Sequence, residues 1–571
     1  MSLRIGLVKM SLCGLAVAAL LMAAGSARTV VAAPASVSFS QSSASVEAYD
    51  FVEVTISVAS PDAKNPFTDA AVEAQFGKTG ESKRLSVEGF CDSADGSVFR
   101  ARFMPWGPGE YTYSITYRQG AFTKSHSGNF RATEGHRRGP IRVDAKYPWH
   151  FIWEGTGEHY FFNGTTAFWL MGWREDRIIN GIIDRLRGMK INRIRALIAG
   201  ATDILWGEPV MPGGSFTTFL RPWVAEKPES LDNPEIDFTR FNIPYWQKWD
   251  RIMRYARERD VIISAILDIS THHAQPAAGS EDERRYIRYA VARLSAFSNL
   301  TYDLGDDLDS YRDEKWAHET GTLIMGWDPY KHLASSHPVY RQHQDRASEW
   351  FGFTSIQNWT RKQHALMLEE REIQKKTGRI IPQTNEEYGY EDHYPHWAPA
   401  PPLGSAETLR QMAWEIAMAG AYGTAGESCR RGTNIWPDTG GGWINGRGDD
   451  TMVMLKGYER MVDFFTSFEW WKTEPHDELV SKPAYCLAKP GEIYAVYIPL
   501  RPNCVNVEHF GFEDECGDIT IKLEPGTYNA KWYGATTGEI VPLPPVQGPS
   551  WKIPTPPGWL DWALLLEKAT K

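Results

Sequence analysis

Helix-like and strand-like segments alternate through the middle of this 571-residue chain, and this alternation restricts its fold more than any other feature. A helical spacing of apolar residues begins near Ile178 and is followed by the apolar run Ile191 to Ile198. The same order recurs with Trp249 and the run Val261 to Leu267. Repeated units of this kind predict a (β/α)8 TIM barrel, with a doubly wound open sheet as the competing arrangement. No GxGxxG turn or Walker loop follows these runs, which argues against an open nucleotide-binding sheet.

Both flanks of this region alternate in polarity at every second residue instead. Val52 to Val58 and Tyr111 to Tyr117 show the pattern before the barrel, and Glu492 to Ile498 and Thr527 to Trp532 show it afterwards. Short strands of this type, separated by turns, are typical of β-sandwiches. We therefore predict a multidomain chain with an N-terminal β-sandwich over 34–135, an α/β barrel over 136–475 and a C-terminal β-sandwich over 476–571.

Residues 1–33 have the composition of a secretory signal peptide. Arg4 and Lys9 precede an apolar run from about Met10 to Ala24, and small residues follow it. We expect an exported protein without a membrane span, secreted or periplasmic. Five cysteines remain after the signal, so at least one is not paired within the chain, and Cys504 with Cys516 is the pair that could form a disulfide.

The net charge of −10 excludes a nucleic-acid partner, because no cluster of lysine and arginine is available to neutralise phosphates. The chain contains 23 tryptophans, and aromatic faces commonly support sugar rings. An uncharged ligand such as a polysaccharide or oligosaccharide fits this composition. The sequence leaves the oligomeric state open.

Two clusters of acids follow apolar runs. Arg379 to Ile381 is predicted as a strand that ends at Pro382, and Leu300 to Leu304 as another. Acids come directly after these runs: Glu386, Glu387, Glu391 and Asp392 after the first, and Asp306, Asp307 and Asp309 after the second. The loops after barrel strands carry active sites, and glycoside hydrolysis needs one carboxylic acid and one carboxylate. Solvated loop acids or helix caps are the alternative interpretation.

Several longer segments resemble a known family, the apiosidase-like glycoside hydrolases. The resemblance rests on segments at 161–170, 289–307, 328–338, 382–391 and 410–427, which read FFNGTTAFWL, YAVARLSAFSNLTYDLGDD, DPYKHLASSHP, PQTNEEYGYE and RQMAWEIAMAGAYGTAGE. Residues 86–113 resemble the β-sandwich that often precedes that barrel, and 524–539 resemble a β-domain named for collagen binding that often follows it. The resemblance implies a TIM barrel of a retaining clan with acids after strands four and seven.

The family pattern implies roles for two acids. Glu387 matches the nucleophile after the proline of the strand-seven segment, and Asp307 matches the proton donor that ends Leu304-Gly305-Asp306-Asp307. Many clan members have Asn-Glu at the end of the strand-four segment, so Asp306-Asp307 is a departure from that pattern. Glu386 and Asp306 remain the alternative choices.

Further candidates sit near predicted strand ends. Arg195 is expected to orient the nucleophile or to form a buried salt bridge. Tyr388 and Tyr390 are each expected to donate a hydrogen bond to a carboxylate. The remaining predicted substrate contacts are His337, Gln357, Trp436 and Trp443, for which packing is the alternative.

No metal and no cofactor are predicted. His272-His273 and Glu391-Asp392-His393 invite a metal interpretation, but no HExxH or closed ligand set is present. Asp303 to Asp313 lacks the glycine and glutamate of an EF-hand loop. Two other functions stay open: a carbohydrate-binding protein on an inactive barrel, and a polysaccharide lyase using Tyr388 or Tyr390 with His337.

Overall fold

A computed structural model describes most of the chain. The described residues are 34–199, 216–217, 219–230, 233–268, 275–339, 344–391, 405–427, 442–446, 454–499, 518–558 and 560–569. The predicted signal peptide and the proposed Cys504–Cys516 pair lie outside them. Of the described cysteines, Cys91 and Cys486 are buried free thiols. No helix within the described residues has both the length and the apolar character needed to cross a membrane.

The N-terminal region contains two sheets whose apolar faces meet. The four-stranded sheet has the order Ser36–Gln41, Val52–Ala59, Val98–Phe103 and Phe90–Cys91, and the five-stranded sheet Ser45–Glu47, Phe122–Thr133, Gly109–Gln119, Ala70–Lys78 and Arg84–Glu88. Burial alternates along Val52–Ala59, as its polarity predicts. The rings of Phe76 and Phe103, one from each sheet, stack at 4.2 Å between centroids. A short helix, Pro66–Asp69, precedes the fourth strand of the chain.

A curled parallel sheet forms the centre of the molecule. We number its strands one to eight in chain order: Asn163–Thr166, Arg193–Leu197, Ile262–Ile266, Leu300–Asp303, Ala334–Ser335, Ile356–Gln357, Thr384–Glu387 and Tyr422–Glu427. Their order in space is five, four, three, two, one, eight, seven, six, so strands one and eight are neighbours. Phe351, on the chain between strands five and six, shares a single parallel bridge with Ala334 of strand five. This strand order is compatible with the predicted barrel and differs from that of a doubly wound sheet.

Helices follow all but one of the first seven strands. Their bounds are Asp176–Gly188, Ile243–Arg257, Glu281–Leu294, Glu314–Trp327, Gln363–Lys375 and Ala406–Met418, with Gly442–Asn445 and Met454–Phe465 after strand eight. The described residues between strands five and six contain no helix. Ser405 caps the helix Ala406–Met418 by accepting a hydrogen bond from the amide of Thr408, and Gly423 beyond the helix belongs to strand eight.

Strand seven lies further along the chain than predicted. Arg379 to Ile381 is not a strand; Thr384–Glu387 is, with all four residues buried. Polar residues occupy this strand because hydrogen bonds and ion pairs inside the sheet satisfy them. An apolar pattern therefore does not predict it. The two glutamates thus belong to the strand itself. Gln357, predicted to follow strand six, likewise belongs to it.

Smaller sheets surround this centre. One joins Ile141–Val143, Phe151–Trp153 and His159–Tyr160, and another pairs Trp223–Ala225 with Ile236–Phe241. The C-terminal region has a six-stranded sheet and a two-stranded sheet. Their strands, in spatial order, are Glu474–Pro475, Tyr485–Lys489, Ile493–Ile498, Trp562–Lys568, Thr527–Gly534 and Ile540–Gln547, and Thr520–Lys522 with Ser550–Lys552.

Buried polar contacts attach both end regions to the centre. Arg102, on an N-terminal strand, donates to both carboxylate oxygens of Asp250 at 2.8 and 2.7 Å, and Arg293 also pairs with Asp250 at 2.7 Å. At the other end, Arg410 donates to Asp561 at 2.6 Å, and Trp414 stacks on Tyr497 at 5.2 Å. Both ends therefore share core contacts with the helices around the parallel sheet.

Candidate active site

The carboxyl ends of the parallel strands bring most of the predicted residues together. Arg195 lies in strand two, Gln357 ends strand six and Glu387 ends strand seven, while Asp307 and His337 follow strands four and five. Neighbouring parallel strands of a curled sheet end on the same side, so these side chains face one space.

Glu387 is buried and accepts hydrogen bonds from two side chains. The Gln357 amide donates to Oε1 at 2.9 Å, the Tyr390 hydroxyl donates as well, and the Trp359 indole lies beside the carboxylate. Burial raises the pKa of Glu387, while the charge of Arg195 and these neighbours oppose the rise. Arg195, Gln357 and Tyr390 therefore limit the rise in pKa that burial causes.

Glu386, the alternative choice, points to the other side of the strand. Its Oε2 accepts from Arg193 Nη1 at 2.6 Å and from Thr424 Oγ1 at 3.0 Å, and its side chain is completely buried. Arg193 also donates to Ser264 at 2.6 Å. Glu386 is thus part of a polar network inside the sheet, which favours Glu387 as the reactive carboxylate.

Asp306 and Asp307 differ in their partners. Asp306 accepts from Arg195 Nη2 at 3.0 Å, whereas Asp307 makes no capping hydrogen bond to the short helical turn that follows it. Burial, then the charge of Glu387, raises the pKa of Asp307 to about 7, with a smaller contribution from Asp309. Burial, then the charge of Asp307, raises that of Asp306 to about 7. Because Arg195 contacts Asp306, we expect Asp306 to be the charged member of the pair and Asp307 to be the protonated one.

The backbone at Asp307 is left-handed, with φ 51° and ψ 37°. Such a conformation is uncommon for residues other than glycine and is most often adopted by asparagine and aspartate. It places the Asp307 carboxyl at the turn between strand four and the 308–310 helical turn.

Arg195 is fully buried and forms the buried salt bridges that were one of its two predicted roles. It donates to Asp303 at 3.1 Å and to Asp306 at 3.0 Å, and its Nε lies 3.7 Å from Glu386. Its charge lowers the pKa of Glu387 through space. A role in orienting Glu387 stays a prediction.

His337 lies between the acids. Its Nε2 is 3.8 Å from Asp306 Oδ1 and 3.6 Å from Glu387 Oε2, and Nδ1 shares a hydrogen bond with Ser355 Oγ at 3.1 Å. Burial, then the charge of Arg195, lowers the pKa of His337 to about 4, so the ring is neutral at neutral pH. One ligand atom from each of Asp306, Asp307 and His337 lies within 4.8 Å of the others, a spacing compatible with a metal ion.

Sequence reasoning missed two residues and misjudged one. Trp359 and Ser355, on either side of Gln357, contact Glu387 and His337. The sequence signal for Ser355 and Trp359 was a hydroxyl and an aromatic side chain on either side of Gln357, near a predicted strand end. Tyr388, expected to donate to a carboxylate, packs its ring near Gly423, where an added Cβ would lie 2.7 Å from it; Tyr390 is the donor.

Some predicted positions cannot be compared with the structure. Trp436 and His272-His273 lie outside the described residues, and of Trp443 only the backbone, in the helix Gly442–Asn445, is described.

Two family models match segments of the chain. Residues 217–426 match the family model "Apiosidase-like, catalytic domain", and residues 45–118 match a domain of unknown function, DUF5060. No curated protein matches the chain significantly.

Solved structures share the fold at low identity. One from Bacteroides vulgatus ATCC 8482, described as a presumptive glycoside hydrolase, is 19% identical with a TM-score of 0.70, covering 92% of this chain and 100% of its own. A glycoside hydrolase family 5 protein from the same strain is 16% identical with a TM-score of 0.54, covering 76% of this chain and 94% of its own. A third, described as a glycoside hydrolase, is 15% identical with a TM-score of 0.55, covering 76% and 98%.

The chain shares its fold with glycoside hydrolases of known structure, and residues 217–426 are similar to the apiosidase-like catalytic domain. DUF5060 precedes that domain, and the two family matches confirm the resemblance stated from the sequence for these segments.

Proposed function

We propose that this chain hydrolyses O-glycosidic bonds of a polysaccharide or oligosaccharide by a retaining mechanism, with Glu387 as nucleophile and Asp307 as acid and base. The observation that carries the proposal is the contrast between the two carboxyl groups. Glu387 accepts hydrogen bonds from Gln357 and Tyr390, which oppose the rise in its pKa caused by burial, whereas burial beside Glu387 raises the pKa of Asp307 to about 7. On this contrast we assign the charge to Glu387 and the proton to Asp307.

The reaction would proceed by two displacements. Asp307 donates its proton to the glycosidic oxygen while Glu387 attacks the anomeric carbon, which releases the leaving sugar and forms a covalent glycosyl ester. Water then attacks the same carbon, Asp307 removes its proton, and Glu387 leaves with the electrons of the ester bond. The configuration at the anomeric carbon is retained.

Neighbouring side chains would hold the sugar. His337 and Gln357 offer an imidazole and an amide beside the carboxylates, and Arg195 fixes the charge of Asp306. Tyr390 keeps Glu387 ionised through its hydrogen bond. We further assign Trp436 and Trp443 to the wall of a sugar subsite.

The architecture belongs to the same proposal. The curled sheet would close as a (β/α)8 barrel over 136–475, with β-sandwiches over 34–135 and 476–571 and the last resembling the domain named for collagen binding. Support comes from the cyclic strand order and from the paired N-terminal sheets. We also propose that residues 1–33 direct export to the periplasm or the medium and are removed.

A test begins with a substrate screen. Wild-type protein is incubated with a panel of plant and algal polysaccharides, and reducing ends are measured. On the best substrate, NMR spectra in the first minutes should show the anomer of the starting bond. Release of the opposite anomer would overturn the retaining mechanism.

The assignment of the two acids needs chemical rescue. Glu387→Ala and Asp307→Ala should each lose at least about 10³-fold in kcat/KM, a typical loss for such groups. Azide should then react with the Glu387 variant to give a glycosyl azide of inverted configuration, and with the Asp307 variant to give a retained one. Full activity in either variant, or the same azide anomer from both, would contradict the assignment.

A further inference from the structure

Three side chains at the mouth of the site are arranged like ligands. A carboxylate oxygen of Asp306, one of Asp307 and an imidazole nitrogen of His337 all lie within 4.8 Å of one another. His337 is 0% exposed, and its Nε2 has no hydrogen-bond partner among the described residues. The other ring nitrogen, Nδ1, is held by Ser355 at 3.1 Å. A hydroxyl bonded to the other ring nitrogen in this way orients a ligating histidine.

The local charge favours a cation. Five carboxylates surround this site: Asp303, Asp306, Asp307, Glu386 and Glu387. Among the residues that the structure describes, the guanidinium groups paired with them are those of Arg193 and Arg195. Arg195 contacts Asp306, but Asp303 shares its charge at 3.1 Å. The excess of negative charge is therefore concentrated on the side of Asp307.

We propose that Asp306, Asp307 and His337 bind a divalent first-row transition cation, with Zn²⁺ as the expected ion, and that this ion inhibits the enzyme. An imidazole with two carboxylates suits Zn²⁺, whereas Mg²⁺ and Ca²⁺ take oxygen ligands. Tetrahedral ligands about 2.0–2.2 Å from zinc lie roughly 3.4 Å apart, which small side-chain rotations would reach from the present spacing. Inhibition rests on the proposed function, because the ion would occupy the Asp307 oxygen that carries the proton.

Binding is tested first, without reference to activity. The full-length mature chain is stripped with EDTA and dialysed, and Zn²⁺ is titrated calorimetrically, with Co²⁺ absorption as a second measurement. His337→Gln and Asp307→Asn should each weaken binding at least tenfold. His318→Gln is the matched control, because His318 is an exposed histidine that pairs with Asp345 at 2.7 Å, and it should bind like wild type. Circular dichroism verifies the fold of each variant.

The outcomes separate the two parts of the proposal. No Zn²⁺ binding to wild type, or unchanged binding in both site variants, overturns the metal site even if hydrolysis is intact. If binding is confirmed, equimolar Zn²⁺ should reduce hydrolysis at least tenfold, with recovery on EDTA and no effect of Mg²⁺ or Ca²⁺. Hydrolysis unchanged or increased by bound Zn²⁺ overturns the inhibitory role. Absence of any glycan cleavage would contradict the proposed function while leaving the binding result decisive for the metal.

Discussion

Asp307 and its acidic neighbours determine the pH response expected of catalysis. Because burial and the charge of Glu387 raise the pKa of Asp307 to about 7, its proton is present below that pH and lost above it. We therefore expect kcat/KM to fall roughly tenfold per pH unit above about pH 7. Asp306 titrates with Asp307, so the measured limb belongs to the pair. A pH profile with a single substrate measures it.

A nearby charge supplies the control for this profile. Asp309 contributes to the raised pKa of Asp307, so Asp309→Asn should move the alkaline limb to lower pH. Asp313→Asn should leave it in place, because Asp313 caps the next helix by accepting from Trp316 and asparagine caps equally well. Identical limbs in wild type and Asp309→Asn would contradict the electrostatic explanation.

Removing the carboxylate at 307 should also change stability with pH. Its folded pKa is raised, so its protonated form supports folding at low pH, and this contribution is lost as pH rises through about 7. Asp307→Asn should accordingly melt higher than wild type at pH 8, by roughly 2–4 °C for each kcal/mol relieved. The difference should be smaller at pH 5. Differential scanning calorimetry at both pH values decides it; a variant less stable at pH 8 would show that the carboxylate is not under electrostatic strain.

At the residue scale, the chain pattern predicted two clusters of acids near strand ends, and the family resemblance selected Glu387 and Asp307 within them. Trp359 and Ser355 were missed because their contacts depend on how strands five, six and seven approach in space. The choice between Glu386 and Glu387 likewise required the direction of each side chain in the strand, since adjacent residues point to opposite faces.

At the scale of elements, apolar periodicity predicted helices and the apolar strands well. The run predicted at Ile191 to Ile198 is a strand over Arg193–Leu197, and that at Val261 to Leu267 is one over Ile262–Ile266. Strand seven escaped because its buried residues are Thr384, Asn385, Glu386 and Glu387. A strand with buried polar residues in the site, such as strand seven, lacks an apolar pattern, so its position is not predicted from hydropathy.

The link between the N-terminal sheet and the helices is expected to stabilise the fold. Although burial would raise it, the charges of Arg102 and Arg293 hold the pKa of Asp250 down, at about 2. Arg102→Met leaves Asp250 with one fewer partner and should cost about 3–5 kcal/mol in unfolding free energy, measured with urea. Arg118→Met is the control, since its pair with Glu73 is exposed and should contribute at most about 1 kcal/mol.

The same pair gives a pH dependence of opposite sign. A depressed folded pKa means that Asp250 stabilises the fold above its unfolded pKa and loses this effect as pH falls toward 2. The penalty of Arg102→Met should therefore shrink between pH 5 and pH 2. A penalty that is constant over this range would indicate lost packing instead of lost charge.

At the scale of the whole molecule, the C-terminal region is expected to be inseparable from the centre. Asp561 is 0% exposed and accepts from Arg410 and Tyr497, and Trp414 stacks on Tyr497. A chain ending at residue 475 would lose Asp561 and Tyr497 and leave Arg410 and Trp414 exposed, and it should be insoluble or melt at least 10 °C lower. A chain beginning at residue 34 is the control and should keep the full melting temperature. A stable, active protein ending at 475 would show that the two regions fold independently.

The left-handed backbone at Asp307 limits how this enzyme can be redesigned. Aspartate tolerates φ 51° because its short side chain can bond locally, whereas a longer acid gains no such compensation. Replacing Asp307 by glutamate to extend its reach would thus penalise the loop conformation on the order of 1 kcal/mol as well as displace the proton. The shape of the turn restricts which acid can evolve there. A lineage that needs a longer proton donor would have to rebuild the turn before exchanging the residue.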